Sequence, residues 1–449
     1  MLHGPILPVL LRLAVPTVTV LLVQTLVSVA ETYYVGFLGT DALAGVALVF
    51  PVLLLMTMMS NGGIGGGVSS AVARAIGAGR RDDADALVFH AVVLAVAFGL
   101  FFTAAALLGG PTLYRALGGS DGALSAALLY SGVVFGGSIP IWIVNLLAAA
   151  LRGVGNVKVP ALVTLISAGV VVVLSPVLIL GFGPVPGLAI MGAGLALNLY
   201  YVGASAVLLR YMASGRGGVT LKRMPFEARL FRDIMSVGTL SALNTLQANL
   251  TIVLVTGAVG LFGVDALAGY GIASRLDHVL IPLIFGLGTA VLTMVGVNIG
   301  AGDTARAKRV AWTGALLAGA VTTSVGVVVA LFPRAWLGLF SHDPAVLDAG
   351  TLYLRTVGPF YGCVGLGMIL YFASQGAKRV TLPFFAGTAR LLIAAGLGWI
   401  VVAHFGGGLT ALFITVAAGT AMFGVVNALA TASIPWGTGP SLTPAAAKG

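Results

Sequence analysis

Apolar residues run along this chain in twelve long stretches separated by short polar joints, at about 13–36, 42–72, 86–109, 125–151, 159–183, 187–210, 235–262, 266–298, 308–332, 347–375, 382–405 and 407–432. Each is longer than the ~20 residues a helix needs to cross the hydrocarbon core of a bilayer. The runs lack the strict apolar–polar alternation of a membrane barrel, and they are rich in Leu, Val, Ala and Gly. The pattern therefore predicts helices, which satisfy their own backbone in lipid, and the fold class is an all-α membrane protein with twelve transmembrane helices.

Composition agrees: 59% of residues are hydrophobic and 8% charged, with a mean hydropathy of +1.09, against roughly 25% charged residues in soluble domains. The apolar run from Leu13 is too long for a signal-peptide core, so Ser28-Val29-Ala30 is not read as a cleavage site. The single cysteine, Cys363, excludes a disulfide framework or a cysteine metal cluster. The net charge of +10 does not point to nucleic acid, because the basic residues sit in the joints between spans. Of 23 Lys and Arg, 18 fall on the side shared by the termini and the even-to-odd joints, which marks that side as cytoplasmic. Arg115 and Arg334 lie on the other side; Arg275, Arg355 and Arg390 fall within apolar runs.

The chain repeats itself. Gly39-Thr40-Asp41-Ala42-Leu43-Ala44-Gly45 returns as Gly263-Val264-Asp265-Ala266-Leu267-Ala268-Gly269 after 224 positions. At a displacement of 223, Ile76-Gly77-Ala78-Gly79 matches Ile299-Gly300-Ala301-Gly302, Tyr130 matches Tyr353, and Gly153 to Pro160 keeps the spacing of Gly376 to Pro383. Six helices per copy make the copies parallel repeats about an axis along the membrane normal, enclosing a central cavity. The expected organisation is an N-terminal lobe (1–213), a cytoplasmic linker (214–233), a C-terminal lobe (234–433) and a cytoplasmic tail (434–449). Glycines, 64 in all and dense at Gly62 to Gly67, serve close helix packing.

Of thirteen acidic residues, only Glu31 and Asp277 lie within apolar runs, and an intramembrane acid is a functional candidate by default. Thr17, Gln24, Ser28 and Glu31 form one stripe on the first helix. Desolvation favours the protonated form of a carboxyl, which makes Glu31 the candidate proton carrier; the plainer reading is an acid that reaches the headgroups. Asn244, Gln247 and Thr251 make a polar face on the seventh helix that Asp277 could join, as a structural network or a substrate site. Arg275 and His278 flank Asp277 and are candidates for a charge network with it, although positions i and i+2 do not face each other. His90, His342 and His404 lack metal-ligand spacing. No His-Glu-x-x-His, nucleotide-binding loop or serine elbow is present, so an enzyme is not expected.

Several segments carry a resemblance. Leu13-Ala14-Val15-Pro16, Gln24 and Glu31-Thr32-Tyr33-Tyr34-Val35-Gly36, then Ala73-Arg74-Ala75-Ile76-Gly77-Ala78-Gly79-Arg80, Leu151 to Pro160, and Gly269 to Asp277 resemble the bacterial branch of the multidrug and toxic compound extrusion (MATE) family, most of all its DinF-type, proton-coupled members. The resemblance implies two six-helix lobes in a V, no cofactor, a monomer in contact with membrane lipids in the inner (plasma) membrane, and antiport of small amphipathic, commonly cationic compounds against protons or sodium. It also implies that the first helix bends at a proline, here Pro16, whose missing N–H makes bending cheap. The chain departs from the pattern on the first helix, where Glu31 stands in place of Asp, and on the fifth, where Val171 and Ser175 stand in place of Asn and Asp. With Ser175 supplying only a hydroxyl, proton coupling gains over sodium. A flippase for lipid or lipid-linked sugar is the alternative, and would want arginines in the cavity to hold phosphate.

Overall fold

The computed structural model describes residues 1–184, 186–433 and Trp436; the rest of the predicted tail, and the side chain of His278, lie outside the described residues. The elements are α1 (Ile6–Gly36), α2 (Thr40–Gly77), α3 (Arg81–Ala116), α4 (Asp121–Gly136 and Ser138–Gly153), α5 (Lys158–Leu180), α6 (Ile190–Ala213), α7 (Ala228–Gly260), α8 (Val264–Gly300), α9 (Thr304–Leu331), α10 (Pro344–Gly376), α11 (Thr381–Phe405) and α12 (Leu409–Ser433). Eleven of these are long and apolar enough to cross a membrane, and the two parts of α4, bent by 49°, make a twelfth span. Several helices extend beyond their apolar runs: α1 begins at Ile6, and α7 begins at Ala228, inside the segment expected to be linker. The first turns of α7 carry Arg229, Arg232 and Asp233, which hydropathy does not register, and Arg12 separates the start of α1 from its apolar run.

Most joint acids are explained locally. Asp41, Asp82, Asp83, Asp121 and Asp265 lie in first helical turns, and Asp343 caps α10 by accepting from Ala345 N–H at 2.8 Å, where the helix dipole favours negative charge.

The repeat is carried into three dimensions. Gly39 and Gly263, which open α2 and α8, have φ of 99° and 102°. The interruption of α4 at Gly137 returns in α10 as a 3₁₀ turn, Gly358–Phe360. Two large apolar clusters result, one centred on α2 to α6 and one on α8 to α12, with a small third around Leu292, Tyr371 and Phe372. The helices that open each half cross over: Leu10, Leu13 and Ala14 of α1 pack in the second cluster, and Leu230, Ile234 and Ala242 of α7 in the first.

The halves meet through reciprocal contacts along α2 and α8, the closest of them where these two helices end. A Cβ on Gly77 would lie 2.1 Å from the Val297 carbonyl oxygen, and one on Gly300 would lie 2.1 Å from the Arg74 carbonyl oxygen. Gly63 of α2 abuts Ala242 of α7, as its repeat mate Gly286 of α8 abuts Val18 of α1. Thr293 Oγ1 donates to the Arg152 carbonyl at 3.0 Å, and Ser70 Oγ donates to the Gln375 carbonyl; all four residues are related by the same displacement of 223. One addition breaks the symmetry. Arg74 reaches Asp233 with Nη2 3.1 Å from both carboxylate oxygens, and Lys378 Nζ donates to the same carboxylate. Lys378 sits at φ 58° where its mate is Gly155, a left-handed conformation that costs a non-glycine residue about 1 kcal/mol.

The segment between α6 and α7 is strapped to α3. His90 Nε2 accepts from the Glu227 N–H at 2.9 Å, Asp85 accepts from the Thr220 N–H at 2.7 Å, and Arg229 pairs with Asp83 at 2.7 Å. The histidine read as chemically plain therefore holds the connection between the halves.

Candidate functional site

The middle of α2 widens into a π-helical turn, Met59–Ile64, a feature that recurs at functional sites. It turns Ser60 and Asn61 inward: Asn145 of α4 donates to Ser60 Oγ at 2.7 Å, and Arg152 Nη2 approaches Asn61 Oδ1 at 3.5 Å. Asn61, Asn145 and Arg152 line a cavity of ≈ 40 Å³ among α1, α2, α4, α5 and α6, whose wall on the side of the second half is Phe285 of α8. That holds two or three waters but not a drug-sized molecule.

Two residues of the predicted stripe on α1 lie here. Thr17 and Gln24 line the cavity, and Pro16 sits inside α1 one residue before Thr17. Ser28 is exposed and outside the cavity. Glu31 lies further along α1, about 10 Å beyond Gln24 at 1.5 Å per residue, and its Oε1 is buried with no hydrogen-bond partner. It is within electrostatic reach of the phenols of Tyr130, Tyr200 and Tyr201. Tyr200 also lines the cavity, where Gln24 and Thr164 approach its hydroxyl. One tyrosine thus joins the acid to the cavity. Ser175 of α5 is fully buried with an unpartnered Oγ.

The second half is arranged differently from expectation. Asn244 and Gln247 turn to α10 and α11 rather than toward Asp277. Gln247 Nε2 donates to Thr388 Oγ1 at 2.8 Å, Asn244 approaches the Tyr371 hydroxyl, and both crowd Gly387, where a Cβ would stand 2.1 Å from Asn244 Oδ1. Thr251 is buried and donates to the Gln247 carbonyl at 2.8 Å, within its own helix. Asp277 instead lies within electrostatic reach of the phenols of Tyr361, Tyr353 and Tyr270. Arg275 is exposed and stacks its guanidinium 5.6 Å from the Phe340 ring, away from the expected charge network; His278, the other residue named for it, has no described side chain. Arg390 lies 5.7 Å over Phe423.

Tyr130 beside Glu31 and Tyr353 beside Asp277 are repeat mates. Each half therefore sets an intramembrane acid against the equivalent tyrosine, with the acid on α1 in one half and on α8 in the other. Sequence reasoning missed the tyrosines, Asn61, Asn145, Thr164 and Arg152. The Tyr130–Tyr353 match was the available signal for the first. Arg152 was counted with the joint charges because it closes a helix.

A family model described as MatE matches residues 16–177 and 241–400, one copy in each half. The chain is 26% identical to the FAD transporter of Shewanella oneidensis over 88% of its own length and 87% of that protein. It is 26% identical to the probable multidrug resistance protein NorM of Thermotoga maritima, over 90% and 88%. Its structure superposes on a multidrug resistance MATE family transporter of the MOP superfamily in an outward-facing conformation, with a TM-score of 0.85, 26% identity and 96% of each chain covered.

Proposed function

Because this chain belongs to the MatE family, a family of transporters and not of enzymes, we propose that it is a secondary exporter of small amphipathic compounds, driven by protons through alternating access. The relatives described as multidrug resistance proteins support the export of diverse small compounds. The observation that carries proton coupling is Glu31, a membrane-level carboxyl with a buried, unpartnered oxygen, on the same helix as the cavity-lining Thr17 and Gln24.

The two halves act as lobes, 1–213 and 234–433, that rock about the repeat axis. The basic joints support a plasma-membrane protein with its termini in the cytoplasm; on that reading the reciprocal glycine contacts seal the cytoplasmic side and the state is closed inward. A proton arriving from outside neutralises Glu31, which lowers the cost of burying it. α1 then bends at Pro16, where the Arg12 carbonyl has no N–H partner. Tyr200 relays the change to the cavity, the compound leaves outward, and release of the proton to the cytoplasm resets the cycle.

Sodium coupling is the second reading. Buried, apolar Val171 and the single hydroxyl of Ser175 offer little toward the six or so oxygen ligands and compensating charge that a cation site needs, which favours the proton. The test uses proteoliposomes with proton and sodium gradients imposed separately. Glu31→Gln should lose proton-driven export by tenfold or more, on the order expected for removing an essential protonatable group; undiminished proton-driven export by the variant would falsify this role. Pro16→Ala should fold normally and slow turnover, and unchanged turnover removes the hinge.

A further inference from the structure

The one charged side chain lining the cavity is a cation. Arg152 closes α4 and is only 9% exposed, yet it belongs to none of the seven ion pairs among the described residues. Its contact through the guanidinium is the 3.5 Å approach to Asn61 Oδ1, which leaves most of its five N–H donors available. Burying a charge without a counter-charge is costly. A basic residue in the last turn of a helix can be held by the helix dipole alone, and the repeat tests that reading. The mate of Arg152 is Gln375, fully buried at the corresponding helix end. Both backbones accept the same cross-lobe hydrogen bond, from Thr293 and from Ser70. The fold therefore makes equal use of the two positions but requires a cation at neither.

Resting on the exporter reading, we propose that this cavity is an anion-recognition site, in which Arg152 holds the carboxylate or phosphate group of an amphipathic substrate. The donors around it suit that role: Asn145 supplies an amide, Thr164 and Tyr200 supply hydroxyls, and a guanidinium engages such groups bidentately. The present volume fits the charged group alone. Phe285, on α8 of the opposite lobe, offers apolar surface to the remainder, so a bound substrate spans both lobes. The expectation of cationic cargo gives way to acidic, amphipathic cargo.

The test measures binding to the purified full chain in detergent by fluorescence anisotropy, with 6-carboxyfluorescein as the acidic dye and rhodamine 6G as the cationic one. Arg152→Gln should weaken carboxyfluorescein binding by about 10- to 100-fold, the range for losing a charge-assisted pair, and leave rhodamine 6G within about twofold; Arg152→Lys should fall between. Equal loss for both dyes, or no loss for carboxyfluorescein, overturns the proposal. If Arg152→Gln does not fold by thermal melting, Arg152→Lys and Thr164→Val replace it, and they must weaken carboxyfluorescein selectively. Nanodiscs of phosphatidylglycerol against phosphatidylcholine identify the source of the anion: displacement of the dye only in phosphatidylglycerol assigns a lipid phosphate, no displacement assigns a soluble acid, and both support the site. Binding is read without a gradient, so absence of driven flux for either dye while binding persists would fault the exporter reading and leave the anion site standing.

Discussion

A close backbone-to-backbone crossing between the two halves yields the sharpest prediction. At the α2–α8 crossing, Gly77→Ala puts a methyl 2.1 Å from the Val297 oxygen. Ordinary contact begins near 3.4 Å, so the helices must part by about 1.3 Å. Neither side can yield locally, because both groups are backbone within helices. A separation of that size stretches the Thr293–Arg152 hydrogen bond from 3.0 Å beyond bonding distance, and its mate from Ser70 with it. Two such bonds at about 1 kcal/mol each, with a further ~1 kcal/mol from the loosened Arg74–Asp233–Lys378 cluster, make roughly 3 kcal/mol. That moves the balance between closed and open about 100-fold toward the open side. Gly300→Ala meets the Arg74 oxygen at the same 2.1 Å, so by symmetry it should do the same. The control is Gly271→Ala on α8, with nothing within 4 Å of the added carbon. The assay is pulsed electron–electron resonance between spin labels at Arg81 and Ala305, in a Cys363→Ala background. Gly77→Ala and Gly300→Ala should shift the distance distribution to longer values while Gly271→Ala leaves it in place. A folded Gly77→Ala protein with the wild-type distribution would refute the claim that this crossing holds the lobes together.

Other expectations follow from the same geometry. Asp233→Asn removes the charge shared by Arg74 and Lys378; it should raise spontaneous opening about threefold to tenfold, measured by accessibility of a cysteine at Ala73, with an effect that shrinks in high salt. Gly387→Ala drives a methyl against Asn244 Oδ1 and should lower the thermal midpoint by several degrees, a cost of about 1–3 kcal/mol for overpacking, while sparing proton coupling. Gln247→Leu removes the α7–α11 bond to Thr388, whose hydroxyl keeps its own bond to the Phe384 carbonyl, and should destabilise by about 0.5–1.5 kcal/mol in a thermal melt, again without changing the coupling ion; altered coupling would return α7 to the transport site. His90→Ala frees the Glu227 N–H and should make the segment between α6 and α7 sensitive to limited proteolysis; resistance equal to wild type would show the remaining ion pairs suffice.

The apolar runs alone determined the helical class and the number of spans, because lipid admits only helices or closed barrels and these runs lack a barrel's alternation. The displacement of 223 determined the symmetry and marked, through Ile76–Gly79 and Gly153–Pro160, the segments that become the inter-lobe seal. Glu31 stood out in the sequence as a candidate because a carboxyl in an apolar run is costly. What a single helix stripe could not reveal was which residues from other helices would face it. Only the tertiary structure turned Asn244 and Gln247 toward α11, sent Arg275 to Phe340, gave Asp277 the repeat mate of the tyrosine beside Glu31, and folded the end of α4 inward so that Arg152, a joint residue by position, became the charge lining the cavity. Hydropathy and charge sorting record where along the chain a residue lies relative to the membrane; which neighbours surround it is set by how helices distant in sequence cross, and that is decided by packing.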